Sequence, residues 1–183
     1  MDRITFIGIG ALVLIAFTDA PVEAQHALDL GLSDFSGTWT LDRGASEFPQ
    51  GRDGGRGGGR FAGGGPATVT ITQTDDEVVM EQQVGGQSWT LTYRLDGSPF
   101  YYYDPTENPS PLRGVAIMTS SWDDATLVTE GLQTMSTPRG ELTLESHERR
   151  LLSDGSQTMI IITTRTTPRG NVTARLVYRK SSG

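Results

Sequence analysis

The chain has 183 residues, about one domain's worth, and a net charge of −7 that disfavours binding to nucleic acid phosphates. It contains no cysteine, so disulfides are excluded and the fold must be stabilised by its own core, for which a chain of this length suffices. Lys180 is the only lysine and every other basic residue is arginine, a compositional bias that points to a bacterial source.

The first element is not part of the fold. Phe6 to Phe17 is an unbroken run of twelve apolar residues and glycines. That is too short for a membrane-spanning helix, which needs about 20 residues. A polar stretch follows, ending in Val22-Glu23-Ala24, with the small residues that a signal peptidase accepts before its cut. The expectation is a signal peptide over 1–24, cleavage after Ala24, and an exported protein, periplasmic or extracellular. No cysteine follows the run, so a bacterial lipid anchor is excluded. Residues 25–35 read as an N-terminal connector.

From Ser36 onward the texture changes to threonine, valine, isoleucine and leucine in alternation. Residues 67–74 place Val69 and Ile71 on one face and threonines on the other; residues 88–96 do the same with Trp89, Leu91, Tyr93 and Leu95. A period of two marks a strand with one buried face, and these residue types suit a pleated surface. Nine such runs are predicted: 36–42, 67–74, 77–84, 88–96, 114–122, 125–133, 140–151, 156–166 and 171–179. Most connections are short and carry hairpin chemistry: Asp75-Asp76, Gly85-Gly86, Asp123-Asp124 and Asp154-Gly155. The tetrapeptide Thr-Pro-Arg-Gly occurs at 137–140 and again at 167–170, each time before a strand, and suits a type I turn. No helical periodicity long enough for a core helix follows residue 35. The fold class is therefore all-β, an antiparallel up-and-down meander. So many strands in an open sheet would leave two edges and an apolar face in water, so the meander is expected to close into a barrel of about 8–10 strands over residues 36–180.

The first strand reads Phe35-Ser-Gly-Thr-Trp-Thr-Leu-Asp42. Gly-x-Trp at this place resembles the opening of the lipocalins, and of the avidins, another family of small meander barrels. The whole motif after a signal peptide, with Trp122-Asp-Asp124 and the closing Val177-Tyr178 pair, also resembles a broad group of exported bacterial lipocalin-like (calycin-type) proteins. The Thr-Asp-Tyr triplet of a later lipocalin hairpin is absent, and the ligand tryptophans of avidin have no clear counterpart. The resemblance implies a barrel whose closed end is plugged by Trp39, with Arg179 of the last strand lying across the indole.

Two connections stand out. Residues 51–65 contain nine glycines and three arginines within a long first loop, 44–66. No lysine follows as a phosphate cradle requires, and an acidic exported chain has no access to RNA, so neither of those readings fits. Glycine at this density predicts a disordered loop. The resemblance implies a flap over the barrel mouth, with Phe61 the only aromatic of residues 51–65; a solvated insertion without a role fits equally well. The second connection, 97–113, is rich in proline and holds Phe100, Tyr101, Tyr102 and Tyr103, which read either as an amphipathic rim that contacts a ligand or as a plug folded onto the barrel.

Catalytic chemistry is sparse. His147 alternates with its neighbours so as to lie on the solvated face with Thr143, Glu145 and Arg149. No metal-ligand cluster is legible, the paired aspartates need no ion to form turns, and no cofactor motif is present. The reading that follows is a non-catalytic binder of a small hydrophobic ligand, with Phe61 and Phe100 to Tyr103 at its mouth, without nucleic acid partners or stable membrane insertion. The alternatives are a secreted structural domain with a filled core, and an outer-membrane barrel with its apolar faces turned outward.

Overall fold

A computed structural model describes residues 31–49, 65–84, 87–101, 115–137, 140–168 and 170–181. The expected signal peptide and most of the glycine loop lie outside the described residues, as do Phe61, Tyr102 and Tyr103. The described strands are β1 (Gly37–Leu41), β2 (Thr68–Gln73), β3 (Glu77–Val84), β4 (Gln87–Arg94), β5 (Phe100–Tyr101), β6 (Val115–Asp123), β7 (Thr126–Thr137), β8 (Gly140–Ser153), β9 (Thr158–Thr167) and β10 (Gly170–Lys180). Nine of these ten correspond to predicted runs; the tenth, β5, is two residues long and sits in the proline-rich connection expected to be loop.

All ten strands are antiparallel members of one sheet, in the order β4-β3-β2-β1-β10-β9-β8-β7-β6-β5. Each pairs with its sequence neighbours, except that β4 and β5 do not pair and that β1 also pairs with β10. That seam rolls the meander into a nearly closed barrel, as strand number and edge exposure predicted. The single break lies between β4 and β5, where Tyr93 and Phe100 meet edge to face, centroids 5.9 Å apart, and seal with side chains what the backbone leaves open.

Alternation decides what lies inside. Trp39, Val69, Ile71, Val78, Met80, Leu91 and Tyr93 point inward from β1–β4, and Met118, Leu127, Met159, Ile161 and Tyr178 from β6–β10. Threonines occupy many of the outer positions, and neighbours pair across strands at Thr134–Thr143 and Thr164–Thr173.

One end of the barrel is plugged. The segment before β1 crosses it and is tied at several points: Ser33 Oγ donates to the Ala125 carbonyl (2.6 Å), Gln73 accepts from Phe35 N–H (3.0 Å) and donates to the Ser33 carbonyl (2.9 Å). Phe35, fully buried, stacks on Trp122 with the rings 4° from parallel, and its carbonyl accepts the indole N–H of Trp39 at 2.8 Å. The hairpin turns at this end carry positive φ at Asp124 (51°), Asp154 (54°) and Ser156 (65°), as residues that cap their own backbone allow. At the other end the two Thr-Pro-Arg-Gly copies close matching hairpins, Thr137 opposite Gly140 and Thr167 opposite Gly170.

The expected partner of Trp39 requires correction. Trp39 lies opposite Lys180, and Thr40 lies opposite Arg179. Adjacent residues of a strand face opposite sides, so Arg179 is outside the barrel and Lys180 spans the indole, Nζ 5.2 Å from a ring centroid. Gly37 makes this possible: a Cβ there would come within 2.8 Å of Lys180 Cε. The glycine of Gly-x-Trp thus leaves room for the lysine stem. Arg179 instead ties the outer surface, contacting Asp42 (3.3 Å), Asp154 (3.4 Å) and Thr158 Oγ1 (2.6 Å). The Ala45 N–H, aided by Arg179, holds the Asp42 carboxyl below its ordinary value of 3.8.

Candidate ligand-binding interior

Beyond the plug the inner wall changes character. On β8 the same alternation that sends His147 and Arg149 outward turns Ser146, Glu148 and Arg150 inward, between Leu144 and Leu152. Arg150 is 1 % exposed. Its Nη2 donates to Glu148 Oε1 at 2.8 Å and to the Tyr93 hydroxyl at 3.0 Å. The guanidinium also lies 4.5 Å from the Tyr93 ring and 5.9 Å from the Phe35 ring, between the plug and the polar wall. Glu148 Oε2 accepts from Thr163 at 3.4 Å, and Ser120 shares a 2.9 Å hydrogen bond with Thr129. Tyr178 nearby donates to the Pro66 carbonyl at 3.2 Å, and burial pushes its hydroxyl well above its ordinary value.

Some of these residues, Glu148, Thr129, Ser146 and Thr163, also line a small void. Ala116 and Met118 form its apolar side; Thr129, Gln133, Ser146, Glu148, Thr163 and Arg165 form its polar side. Its volume is about 20 Å³, room for one water-sized group. A wider concavity of about 770 Å³ is open and runs mainly over the outer-face residues Thr68, Thr70, Glu81, Ser88 and Thr90, which give an apolar ligand no shelter.

Of the sequence-predicted site residues Phe100 and Tyr101 lie among the described residues, and they face opposite sides of the sheet. Phe100 is 8 % exposed and packs on Tyr93, so it is a core residue and not a rim residue, because β5 turns it inward against the break in the sheet. Tyr101, next in the chain, is 60 % exposed on the outer face beside Ile117. His147 faces outward as predicted, with Nε2 3.2 Å from Glu130. Among the described residues no group of three His, Cys, Asp or Glu side chains converges as a metal site would require. The inward Glu148–Arg150 pair was missed in reading the sequence. The signal was present, since placing His147 outside obliges both neighbours of the pattern to lie inside.

No known family profile matches the chain, and no curated protein matches it in sequence. Solved structures do match it in fold. A zebrafish ileal bile acid-binding protein complexed with cholic acid aligns with a TM-score of 0.52 at 14% identity, over 81% of this chain and 100% of that one. A fatty acid transporter designated REP1-NXSQ aligns at 0.51 and 14%, over 82% and 98%. Lipid binding protein 8 of Caenorhabditis elegans, in its apo form, aligns at 0.51 and 13%, over 82% and 99%. At these identities the likeness is one of fold.

Proposed function

We propose that this chain is an exported, non-catalytic barrel that binds a small apolar ligand inside the half of the barrel away from the plug. The observation that carries the reading is the buried Glu148–Arg150 pair and the polar wall around it. An ion pair inside a barrel costs desolvation that a filled apolar core avoids, and such pairs are weak contributors to stability. Charged and polar groups aimed at one void on an otherwise apolar inner surface are the arrangement of a ligand site. The barrels of similar fold named above, bile acid-binding and lipid-binding proteins by their own descriptions, support the same reading. Met118 is unbranched and adaptable, so its movement widens the void when a ligand tail enters.

The test is fluorescence titration of the full chain with the neutral dye Nile red, followed by amide shift mapping. Saturable binding is expected, with shifts concentrated at Ala116, Met118, Thr129 and Thr163. Absence of binding, or shifts confined to outer-face residues, overturns the reading. Export is tested by N-terminal sequencing of the protein made in its own host, where a chain starting at Gln25 is expected.

A second reading is favoured by one observation. A void of about 20 Å³ is what a nearly filled barrel shows, so a secreted structural domain without a ligand is the alternative that the Nile red titration decides against or for.

A further inference from the structure

The wall of the barrel is not equally firm all round. Each strand is joined by backbone hydrogen bonds to the strands beside it, except that β4 and β5, the two ends of the sheet order, stand next to each other unpaired. β5 is also the shortest strand, two residues held to β6 by Phe100 opposite Met118 and Tyr101 opposite Ile117. Two strands without a ladder between them part with the loss of side-chain contacts alone, so this is where the wall opens most readily. Phe100 packs edge to face on Tyr93 across the break, and the Tyr93 hydroxyl is tied in turn to Arg150 Nη2 at 3.0 Å. The break adjoins the void. Phe100 is the inward cross-strand neighbour of Met118, which forms the void's apolar side, and Arg150 reaches both Tyr93 at the break and Glu148 on the polar side. Outside, Tyr101, Ile117 and Leu132 are exposed and stand side by side across β5, β6 and β7, so an apolar row on the outer face leads up to the break. The plugged end, by contrast, is tied by hydrogen bonds at Ser33, Phe35 and Gln73.

From the unpaired break, its place beside the void and the apolar row outside it, we infer that a ligand enters the barrel sideways, between β4 and β5, and that Tyr93 and Phe100 are the latch on that entrance. Parting the two strands withdraws Phe100 from Tyr93 and from Met118, and joins the void to the outer surface at the end of the apolar row. The same movement supplies room that a void of about 20 Å³ lacks. This rests on the barrel being a binder of apolar ligands at all.

The experiment is stopped-flow binding of Nile red to the full chain with the break bolted and unbolted. The chain has no cysteine, so a pair introduced by Thr92→Cys and Tyr101→Cys is unique. These positions are the outward neighbours of Tyr93 and Phe100, and a disulfide between them closes the break from outside without touching the latch or the void. In the oxidised protein, association and dissociation of Nile red are both expected to slow at least about tenfold, and reduction is expected to restore them. Should the disulfide not form, Tyr93→Phe carries the test, since it removes the hydroxyl bond to Arg150 and keeps the ring on Phe100. Both rates are then expected to rise by one common factor of about threefold or more, because a change at an entrance alters passage and not the bound state. Unchanged rates in the oxidised protein or in Tyr93→Phe, or a shift in one rate only, overturns the inference while leaving the binding reading intact. Nile red unbound by the unaltered protein overturns both, and identifies the binding reading as the part that failed.

Discussion

Trp39 and Lys180 are 141 positions apart in the chain, roughly the whole domain, yet they face each other across the seam that closes the barrel. The indole is fully buried and its N–H is satisfied by Phe35, so Trp39→Ala removes a large plug side chain and should cost about 3–5 kcal/mol in urea unfolding. Lys180→Ala should cost less, and the double variant should depart from additivity by about 0.5 kcal/mol or more. Pairing Trp39→Ala with Arg179→Ala should give additive losses, since Arg179 acts on the outer surface through Asp42 and Asp154. The tryptophan was legible in Gly-x-Trp; its cation was misassigned by one residue. Two bases are adjacent in Tyr178-Arg179-Lys180, and a one-residue shift reverses every face. The inward Tyr178 settles the alternation and puts Lys180 inside.

Elements were legible where their own side chains determine them. Runs such as 67–74 alternate cleanly and form strands within a residue or two of expectation. β5 was not legible, because nothing local makes Phe100–Tyr101 extended; it is a strand only because β6 lies beside it, a tertiary effect on a two-residue segment. β7 illustrates a different limit. It was expected to end at 133 but continues to Thr137, and it holds Gly131, which reads as a weak strand residue. The structure gives that glycine a purpose. A Cβ at Gly131 would run into the Ile117 carbonyl and approach Met118 Cα to 2.8 Å, so β6 and β7 come close only because no side chain intervenes. Gly131→Ala should therefore destabilise the protein by about 1–3 kcal/mol, the usual range for overpacking. Thermal and urea unfolding measure this, and an unchanged midpoint would show that the two strands part easily.

At the scale of the molecule, the barrel divides into a plugged half packed by Phe35, Trp39, Tyr93, Leu127 and Met159, and a half with polar residues on its inner wall. The closed meander could be argued from strand number and edge exposure. The polar inner wall could not be read from composition, because a filled barrel and a hollow one use the same residue types. The Glu148–Arg150 pair permits a direct comparison of stability against function. Arg150→Met alone strands a buried carboxylate and should cost about 3–5 kcal/mol, while Glu148→Leu with Arg150→Met should be close to neutral or stabilising. If the double variant is instead as unstable as the single one, the pair is a structural brace, and the case for an interior site weakens.

The seam between β1 and β10 also sets an order on folding. Every other pairing joins strands that follow each other in the chain and can form as soon as both are made. β1 alone waits for the last strand, so during synthesis β1–β4 present Trp39, Val69, Ile71 and Leu91 on an unclosed sheet until β10 arrives. Closure is the pairing of largest sequence separation, hence the slowest to be met by diffusion. A barrel built this way has reason to be kept unfolded until the whole chain is present.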